Sequence, residues 1–420
     1  MSEEYIVIHG KNRLRGSINI SGAKNSALPI IASTVLAEGR YELSNIPMVR
    51  DIEIMLEAIR ELGLEVKRNA NKVEIINRGL KKGHVVSDIV KKTRASILLL
   101  GPLVSKTGDV RVVQPGGCPL GRRDIGFHIE ALSKMGAEIE NGSEYIVAKA
   151  NRMKEIEYEF PSKTVTGTEN ILMAASLING KTVLKNCAIE PEIGDLIDML
   201  TKMGVDIKGK DSDTLIINGK RELNSANHKI IHDRIELGTY LILASMDDNE
   251  IVVNAEGSDY VRSLLDILED MGIYFVNYKG NLVLYQKENL KPINIETQPY
   301  PGFPTDLQAQ IATLLTQIDG ESGIRENIFD NRFAYADELN KMGAKIEKID
   351  DYNIKIKGKT ELKGNKIIGT DLRATASLVL AGLIAEGETI ISNAYQLFRG
   401  YENMVGKLRN IGADIEVIRR

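Results

Sequence analysis

The sequence predicts an α/β protein assembled from six copies of one unit of roughly 70 residues, each reading strand–helix–strand–helix–strands. Two observations carry this. An apolar residue followed by glycine and a strand-like run recurs at Gly63, Gly136, Gly204, Gly272, Gly343 and Gly412, at intervals of 73, 68, 68, 71 and 69 residues. Ahead of these glycines the apolar residues fall on one helical stripe.

That stripe is read by counting back 1, 4, 7, 8 and 11 positions. From Gly63 these are Leu62, Ile59, Leu56, Met55 and Ile52; from Gly204 they are Met203, Leu200, Ile197, Leu196 and Ile193. From Gly272 they are Met271, Leu268, Leu265, Leu264 and Val261. Such spacing predicts an amphipathic helix, with glycine as its left-handed C-cap. Each unit also carries an earlier, more apolar helix, for example Ala27 to Ala37 or Ala374 to Ala385, which low polarity predicts to be buried on nearly all sides. Six βαβαββ units divide into two lobes of three, with buried helices inside and sheets around them. Repeat counting puts the boundary near residues 225–235.

The bulk properties exclude several classes. The chain has 420 residues, 43% of them hydrophobic and 27% charged. That length predicts two or more domains. A net charge of −4 argues against nucleic acid or an anionic membrane as the main partner. Two cysteines give no disulfide framework and point to a reducing compartment. No signal peptide is evident, and no apolar run approaches the roughly 20 residues of a membrane helix. The expected location is cytoplasmic.

Functional residues concentrate where a structural pattern is violated. His128 occupies an apolar slot of the second unit, and Arg332 one of the fifth. Read alone, both are helix-end residues exposed to solvent. The loop Gln114-Pro-Gly-Gly-Cys118-Pro-Leu-Gly-Arg122-Arg123 is Gly/Pro-rich and cationic, suited to covering an anion. Its Cys118 is either a reactive thiol beside arginines or a surface cysteine in a turn. Cys187, by contrast, reads as a small buried residue. Ser21-Gly-Ala-Lys24-Asn25-Ser26 joins a strand to the first buried helix, so Lys24 can meet an anion at a helix N-terminus. Asp306 in Pro304-Thr-Asp, Asp371 and Arg373 in Thr370-Asp-Leu-Arg, and Arg399 in Phe398-Arg-Gly-Tyr401 add charges at equivalent joints. Several cations at joints of a net acidic chain suggest a focused anion site.

Taken in order, Ile20-Ser-Gly-Ala-Lys24-Asn25, Thr93-Arg94-Ala-Ser, Pro115-Gly-Gly-Cys118, Asp233-Arg-Ile-Glu236, Phe303-Pro-Thr-Asp306, Asn331-Arg332-Phe, Thr370-Asp-Leu-Arg373 and Arg399-Gly-Tyr-Glu402 resemble the enolpyruvyl transferase family over essentially the whole chain. The resemblance is greatest to the branch that acts on UDP-N-acetylglucosamine. It implies a two-domain inside-out α/β barrel of six βαβαββ repeats, three per domain. Residues 1–21 plus 231–420 would form the C-terminal domain and 22–230 the N-terminal one, with the active site in the cleft they form.

The implied substrates are phosphoenolpyruvate and UDP-N-acetylglucosamine, with no cofactor and no metal. Asp306 is implied as the base and Cys118 as the proton donor. Lys24, Arg123 and Arg399 would grip phosphate and carboxylate, and Asn25 would contact the reacting centre. Arg94, the stretch Arg123, Asp124, Ile125, Gly126 and Phe127, and Thr164, Val165 and Thr166 would face the nucleotide. Ile328 would face the uridine, and Arg332, Asp371 and Arg373 would complete the substrate contacts.

Two segments depart from the family pattern. Where the family has Pro-Val/Ile-Asp after the arginine, Arg123 is followed by Asp124-Ile125-Gly126; where it has Ser-Val-Gly-Ala-Thr, this chain has Thr164-Val165-Thr166-Gly167-Thr168. Both lie on the implied nucleotide side. The shikimate-type branch is disfavoured because no Asn-Ala-Gly-Thr segment occurs near the first domain's loops. An RNA 3′-phosphate cyclase would need a late histidine, and the last here is His232. A paralogue that only binds the nucleotide sugar would have no use for both an acid and a base.

Overall fold

The computed structural model of the chain describes residues 4–114, 116, 125–254 and 256–419. Among these, residues 4–21 and 232–419 form one compact unit, here the split unit. Residues 22–231 form the other, the inserted unit. Each has its own apolar core.

Each unit contains three four-stranded sheets with the same pattern of pairing. One edge strand runs parallel to its neighbour, and the other two pairings are antiparallel. In the split unit, for instance, Arg15–Asn19 lies parallel to Glu250–Asn254, with Ser17 opposite Val252. Glu250–Asn254 then pairs antiparallel with Asn281–Lys287, and that strand with Ile273–Tyr278. In the inserted unit, His228–Lys229 closes a sheet by lying parallel to Gly39–Ser44. In the last sheet Glu4–His9 is an interior strand, antiparallel to both Glu388–Ser392 and Asp414–Arg419.

The glycine caps behave as the sequence predicts. Gly63, Gly136, Gly204, Gly272, Gly343 and Gly412 have φ of 102°, 105°, 105°, 91°, 101° and 101°. This is the left-handed region in which a side chain is strained, and it turns each helix into the following strand.

The apolar helices are buried as expected. Every residue of Arg234–Ala244, Gln308–Leu315 and Leu372–Ile384 is buried. Their buried threonine hydroxyls are made tolerable by bonding back to the helix. Thr239 Oγ1 donates to Ile235 O at 2.8 Å, and Thr375 Oγ1 to Asp371 O at 2.6 Å. The first such helix is Lys24–Ser33, beginning one turn earlier and ending sooner than the Ala27–Ala37 span predicted. Cys187 is fully buried, and burial pushes its thiol up to about 12, so it is unreactive.

One buried acid in this framework has no matching donor. Glu169, inside the helix Val165–Ser176, is buried, and its Oε1 has no hydrogen-bond partner among the described residues. Burial first, then the charges of Glu192 and Glu190, push its carboxyl well above the ordinary value of 4.5. A raised folded-state value means its contribution is complete below the unfolded value and is lost as pH rises through the folded one. Glu169→Gln should therefore match the parent protein in urea unfolding near pH 4 and become increasingly more stable toward pH 9. A difference that stays constant across that range would contradict the assignment.

Candidate active site

In the split unit, three of the implied site residues converge. Asp306 lies in the short 3-10 turn Thr305–Leu307, directly ahead of the buried helix Gln308–Leu315. Its Oδ1 accepts from Arg332 Nη2 at 2.9 Å and its Oδ2 from Arg373 Nη2 at 2.8 Å. Both arginines are almost wholly buried, while the Asp306 side chain keeps 26% of its surface open. One carboxylate thus sits between two guanidinium groups with one face toward solvent.

Arg332 corrects a sequence expectation: it is 4% exposed, not a solvated helix-end residue. The apolar slot it occupies is a core position, and it stays there because Asp306 supplies its counter-charge.

Arg373 is set by the start of its own helix. Asp371 is the N-cap of Leu372–Ile384, accepting from the backbone N–H of Arg373 at 2.9 Å and of Ala374 at 3.1 Å. Asp371 therefore has a helix-capping role at the position where the resemblance implied a substrate contact. The Arg373 guanidinium lies 5.5 Å from the ring centre of Tyr401. Burial, the largest single influence, would lower the proton affinity of Arg373, but the Asp306 charge and hydrogen bond together with Tyr401 and Asp233 more than offset it and raise it. The Tyr401 hydroxyl is fixed in turn by Thr239 Oγ1 at 2.8 Å and Gln310 Nε2 at 3.0 Å. Burial pushes that hydroxyl's pKa up.

Other implied residues of this unit lie at joints. Arg399 is buried and donates to Gln396 Oε1 at 3.2 Å. Half-buried Ile328 donates its N–H to Glu326 Oε1 at 2.8 Å. Asp233 caps the helix Arg234–Ala244 through Ile235 N and Glu236 N.

In the inserted unit, Lys24 opens the helix Lys24–Ser33 and is buried. Its Nζ is 3.3 Å from Asp51 Oδ2, in the first turn of Arg50–Glu61. Asp51, which sequence reasoning missed, balances a cation that would otherwise be costly to bury. Asn25 follows, half-buried. Beneath it Ser26 Oγ donates to Asp195, whose other oxygen is 2.8 Å from His228 Nε2. Lys202 Nζ lies 3.1 Å from His228 Nδ1. An ammonium only donates, so Nδ1 is the acceptor and the ring proton is on Nε2, facing Asp195. Ile231 N also donates to Asp195 Oδ2, at 3.3 Å.

The implied nucleotide-side segments are joined by a residue first read as exposed. His128 is 3% exposed. Ile125 is buried, and Gly126 and Phe127 begin the helix Gly126–Lys134 that carries His128. Thr164 is the N-cap of Val165–Ser176, its hydroxyl accepting from Gly167 N at 3.3 Å; Val165 and Thr166 form that helix's first turn.

His128 bonds to this second helix at two points. Its Nδ1 is 2.8 Å from Asn170 Nδ2, and its Nε2 is 3.3 Å from Thr166 Oγ1. Asn170 Oδ1 takes the N–H of Gly101 at 2.6 Å, so its amide nitrogen must donate to His128 Nδ1. The ring proton is thereby placed on Nε2, toward Thr166. Gly101 is required here, since a Cβ would lie 2.2 Å from Asn170 Oδ1. The break in the apolar stripe was the signal for His128, and it was misread because polarity alone was taken to mean exposure.

Arg94, half-buried, sits where the 3-10 turns Val90–Lys92 and Ala95–Leu99 meet, with Thr93 Oγ1 accepting from Ala95 N at 3.2 Å. Cys118, Arg122, Arg123 and Asp124 lie outside the described residues. Among the described residues no group of three or more His, Cys, Asp or Glu could hold a metal ion, and no helix is long and apolar enough to cross a membrane.

Comparison with known proteins bears on this arrangement directly. Residues 8–408 match the family model of EPSP synthase (3-phosphoshikimate 1-carboxyvinyltransferase). A UDP-N-acetylglucosamine 1-carboxyvinyltransferase of Koribacter versatilis is 45% identical over 416 residues, covering 98% of this chain and 96% of that protein. One from Geotalea daltonii is 42% identical over 412 residues, covering 98% of each. Among solved structures, the enolpyruvyl transferase NikO from Streptomyces tendae superposes with a TM-score of 0.90 at 23% identity, covering 100% of both chains. An EPSP synthase from Acinetobacter baumannii gives 0.74 at 20% identity, covering 99% of this chain and 100% of its own. The chain belongs to the EPSP synthase family of carboxyvinyltransferases, in its UDP-N-acetylglucosamine 1-carboxyvinyltransferase branch.

Proposed function

We propose that the chain transfers the enolpyruvyl group of phosphoenolpyruvate to the 3′-hydroxyl of UDP-N-acetylglucosamine, releasing phosphate, in the first committed step of peptidoglycan synthesis. The observation that carries this is near-complete coverage at 42–45% identity to enzymes bearing that name. The carboxylate held by two buried arginines in the split unit supports it.

The reaction is an addition followed by an elimination. The sugar oxygen bonds to C2 of phosphoenolpyruvate while a proton is added at C3. Loss of a proton from C3 then expels phosphate and restores the double bond. Asp306 is the group to take the hydroxyl proton, and its solvent-facing side is where that hydroxyl would approach. Cys118 supplies the proton to C3. Lys24, Arg123 and Arg399 hold phosphate and carboxylate, and Asn25 touches the reacting centre. Arg94, Arg123, Asp124, Ile125, Gly126, Phe127, Thr164, Val165 and Thr166 serve the nucleotide, with Ile328 on the uridine side. Proton transfer by positioned side chains contributes about 10²–10⁴-fold. Fixed cations acting on the developing charge contribute the larger share.

The two units correspond in this reading to the two domains of an inside-out α/β barrel of six βαβαββ repeats, acting in the cytoplasm. The test is phosphate release from phosphoenolpyruvate plus UDP-N-acetylglucosamine, with and without fosfomycin, an epoxide that alkylates this family's loop cysteine. Release that is abolished by the epoxide and by Cys118→Ser is expected. No release with this pair would sink the acceptor assignment. Release undiminished by the epoxide would sink the role of Cys118.

A further inference from the structure

A buried carboxylate outside the implied catalytic set connects two segments of the split unit's site. Glu326 is 1% exposed. Its Oε2 accepts from Thr305 Oγ1 at 2.8 Å and from Gln308 Nε2 at 3.3 Å. Its Oε1 accepts from the backbone N–H of Ile328 at 2.8 Å and of Phe329 at 3.1 Å. A carboxylate has about four lone-pair directions, so these four donors occupy all of them. Thr305 precedes Asp306, and Ile328 belongs to the implied uridine side. Arg332, which holds Asp306 Oδ1, lies three residues beyond Phe329. Asn327 is tied down separately, its N–H and amide donating to Thr297 at 2.9 and 3.1 Å. The segment from 327 to 332 is thus anchored at one end by Thr297, at the other by Asp306, and in the middle by Glu326.

We propose that Glu326 is a positioning residue that links the turn bearing Asp306 to the Ile328–Phe329 segment, so that base placement and acceptor binding are set by one buried anion. This rests on the enolpyruvyl transfer reading. None of the four donors is a formal cation, so the charge is held by dipoles whose directions the two segments must both maintain. A displacement of either segment deprives the carboxylate of half its donors, and an under-satisfied buried charge is strongly unfavourable.

The structure also sets which substitutions are informative. Glu326→Gln is mild, because the amide oxygen can keep both backbone N–H donors. Its NH₂ can then donate to Thr305 Oγ1 and to Gln308 Oε1, which has no partner among the described residues and is reached by an amide flip. Glu326→Asp keeps the charge but is shorter by one methylene, about 1.5 Å, and cannot span both segments. Thr305→Val removes the shorter of the two bonds on the Asp306 side and leaves that of Gln308.

The test is steady-state kinetics of phosphate release with UDP-N-acetylglucosamine varied. Thr305→Val should lower kcat about tenfold with KM nearly unchanged, since misplacing a reacting group reduces rate steeply. Glu326→Asp should lower kcat similarly and also raise KM for UDP-N-acetylglucosamine about tenfold. Glu326→Gln should stay within about threefold of the parent on both, and the Thr305→Val/Glu326→Asp double variant should have the kcat of Glu326→Asp alone. The proposal is overturned by parental kinetics in Glu326→Asp, by Glu326→Gln failing as badly as Glu326→Asp, or by multiplying effects in the double variant.

If the parent protein itself releases no phosphate with this pair, the functional reading falls, and amide hydrogen exchange tests Glu326 independently. The Ile328 and Phe329 amides should then exchange about tenfold faster in Glu326→Asp. Unchanged exchange overturns the proposal.

Discussion

Asp306→Asn should reduce phosphate release by about 10³-fold, near the upper part of what one positioned proton acceptor contributes, while UDP-N-acetylglucosamine still binds. The amide preserves the shape of the side chain and one acceptor oxygen, so the surrounding turn survives. It cannot take the sugar hydroxyl proton. Its neutrality also removes the counter-charge that Asp306 supplies to both Arg332 and Arg373. Breaking a fully buried pair costs about 3–5 kcal/mol. Because Asp306 keeps part of its surface in water, a stability loss of about 2 kcal/mol is the expected size. Calorimetric titration with UDP-N-acetylglucosamine, alongside turnover and urea unfolding, separates the effects. A loss confined to affinity would contradict the assignment of Asp306 as the base.

Asp195→Ala is expected to destabilise the protein by about 3–5 kcal/mol in urea unfolding. The change leaves the donors Ser26 Oγ, His228 Nε2 and Ile231 N without their acceptor. It also removes the only negative group that these bonds bring to the Lys202–His228 pair. Asp195→Asn should fall between the parent and the alanine variant, because it keeps one acceptor oxygen for these donors. A loss below about 1 kcal/mol for the alanine variant would show that the network is replaceable by water.

Local features of this fold survive in a one-dimensional pattern, and long-range pairings do not. Helix periodicity and the glycine caps were legible because both are local: the stripe and the positive φ belong to one short segment. Lys24, Asp306, Arg373 and Arg399 were legible as charges at joints, and the joints are where the structure places them. The partners of those charges were not. Asp51 is 27 residues from Lys24, and Arg373 is 67 from Asp306, and nothing in the local spacing ties such pairs together. His128 and Arg332 were seen as irregular but placed on the wrong side of the surface. A polar residue in an apolar slot is either exposed or paired, and only the tertiary partner decides which. Asp371 was legible as a charge at a joint, although its hydrogen bonds give it a helix-capping role.

The interior position of Glu4–His9 in the last sheet has a consequence for how the chain is made. That strand leaves the ribosome well before one of its two neighbours, Asp414–Arg419, has been made. At about 5–20 residues per second, the interval is about 20–80 s. Arg15–Asn19 likewise waits for Glu250–Asn254. Residues 22–231 need no later-made strand and can mature meanwhile. Once residue 231 has been made, the nascent protein therefore carries a finished body preceded by a strand with both edges open. Its protection during translation falls to the ribosome surface and chaperones rather than to the fold itself.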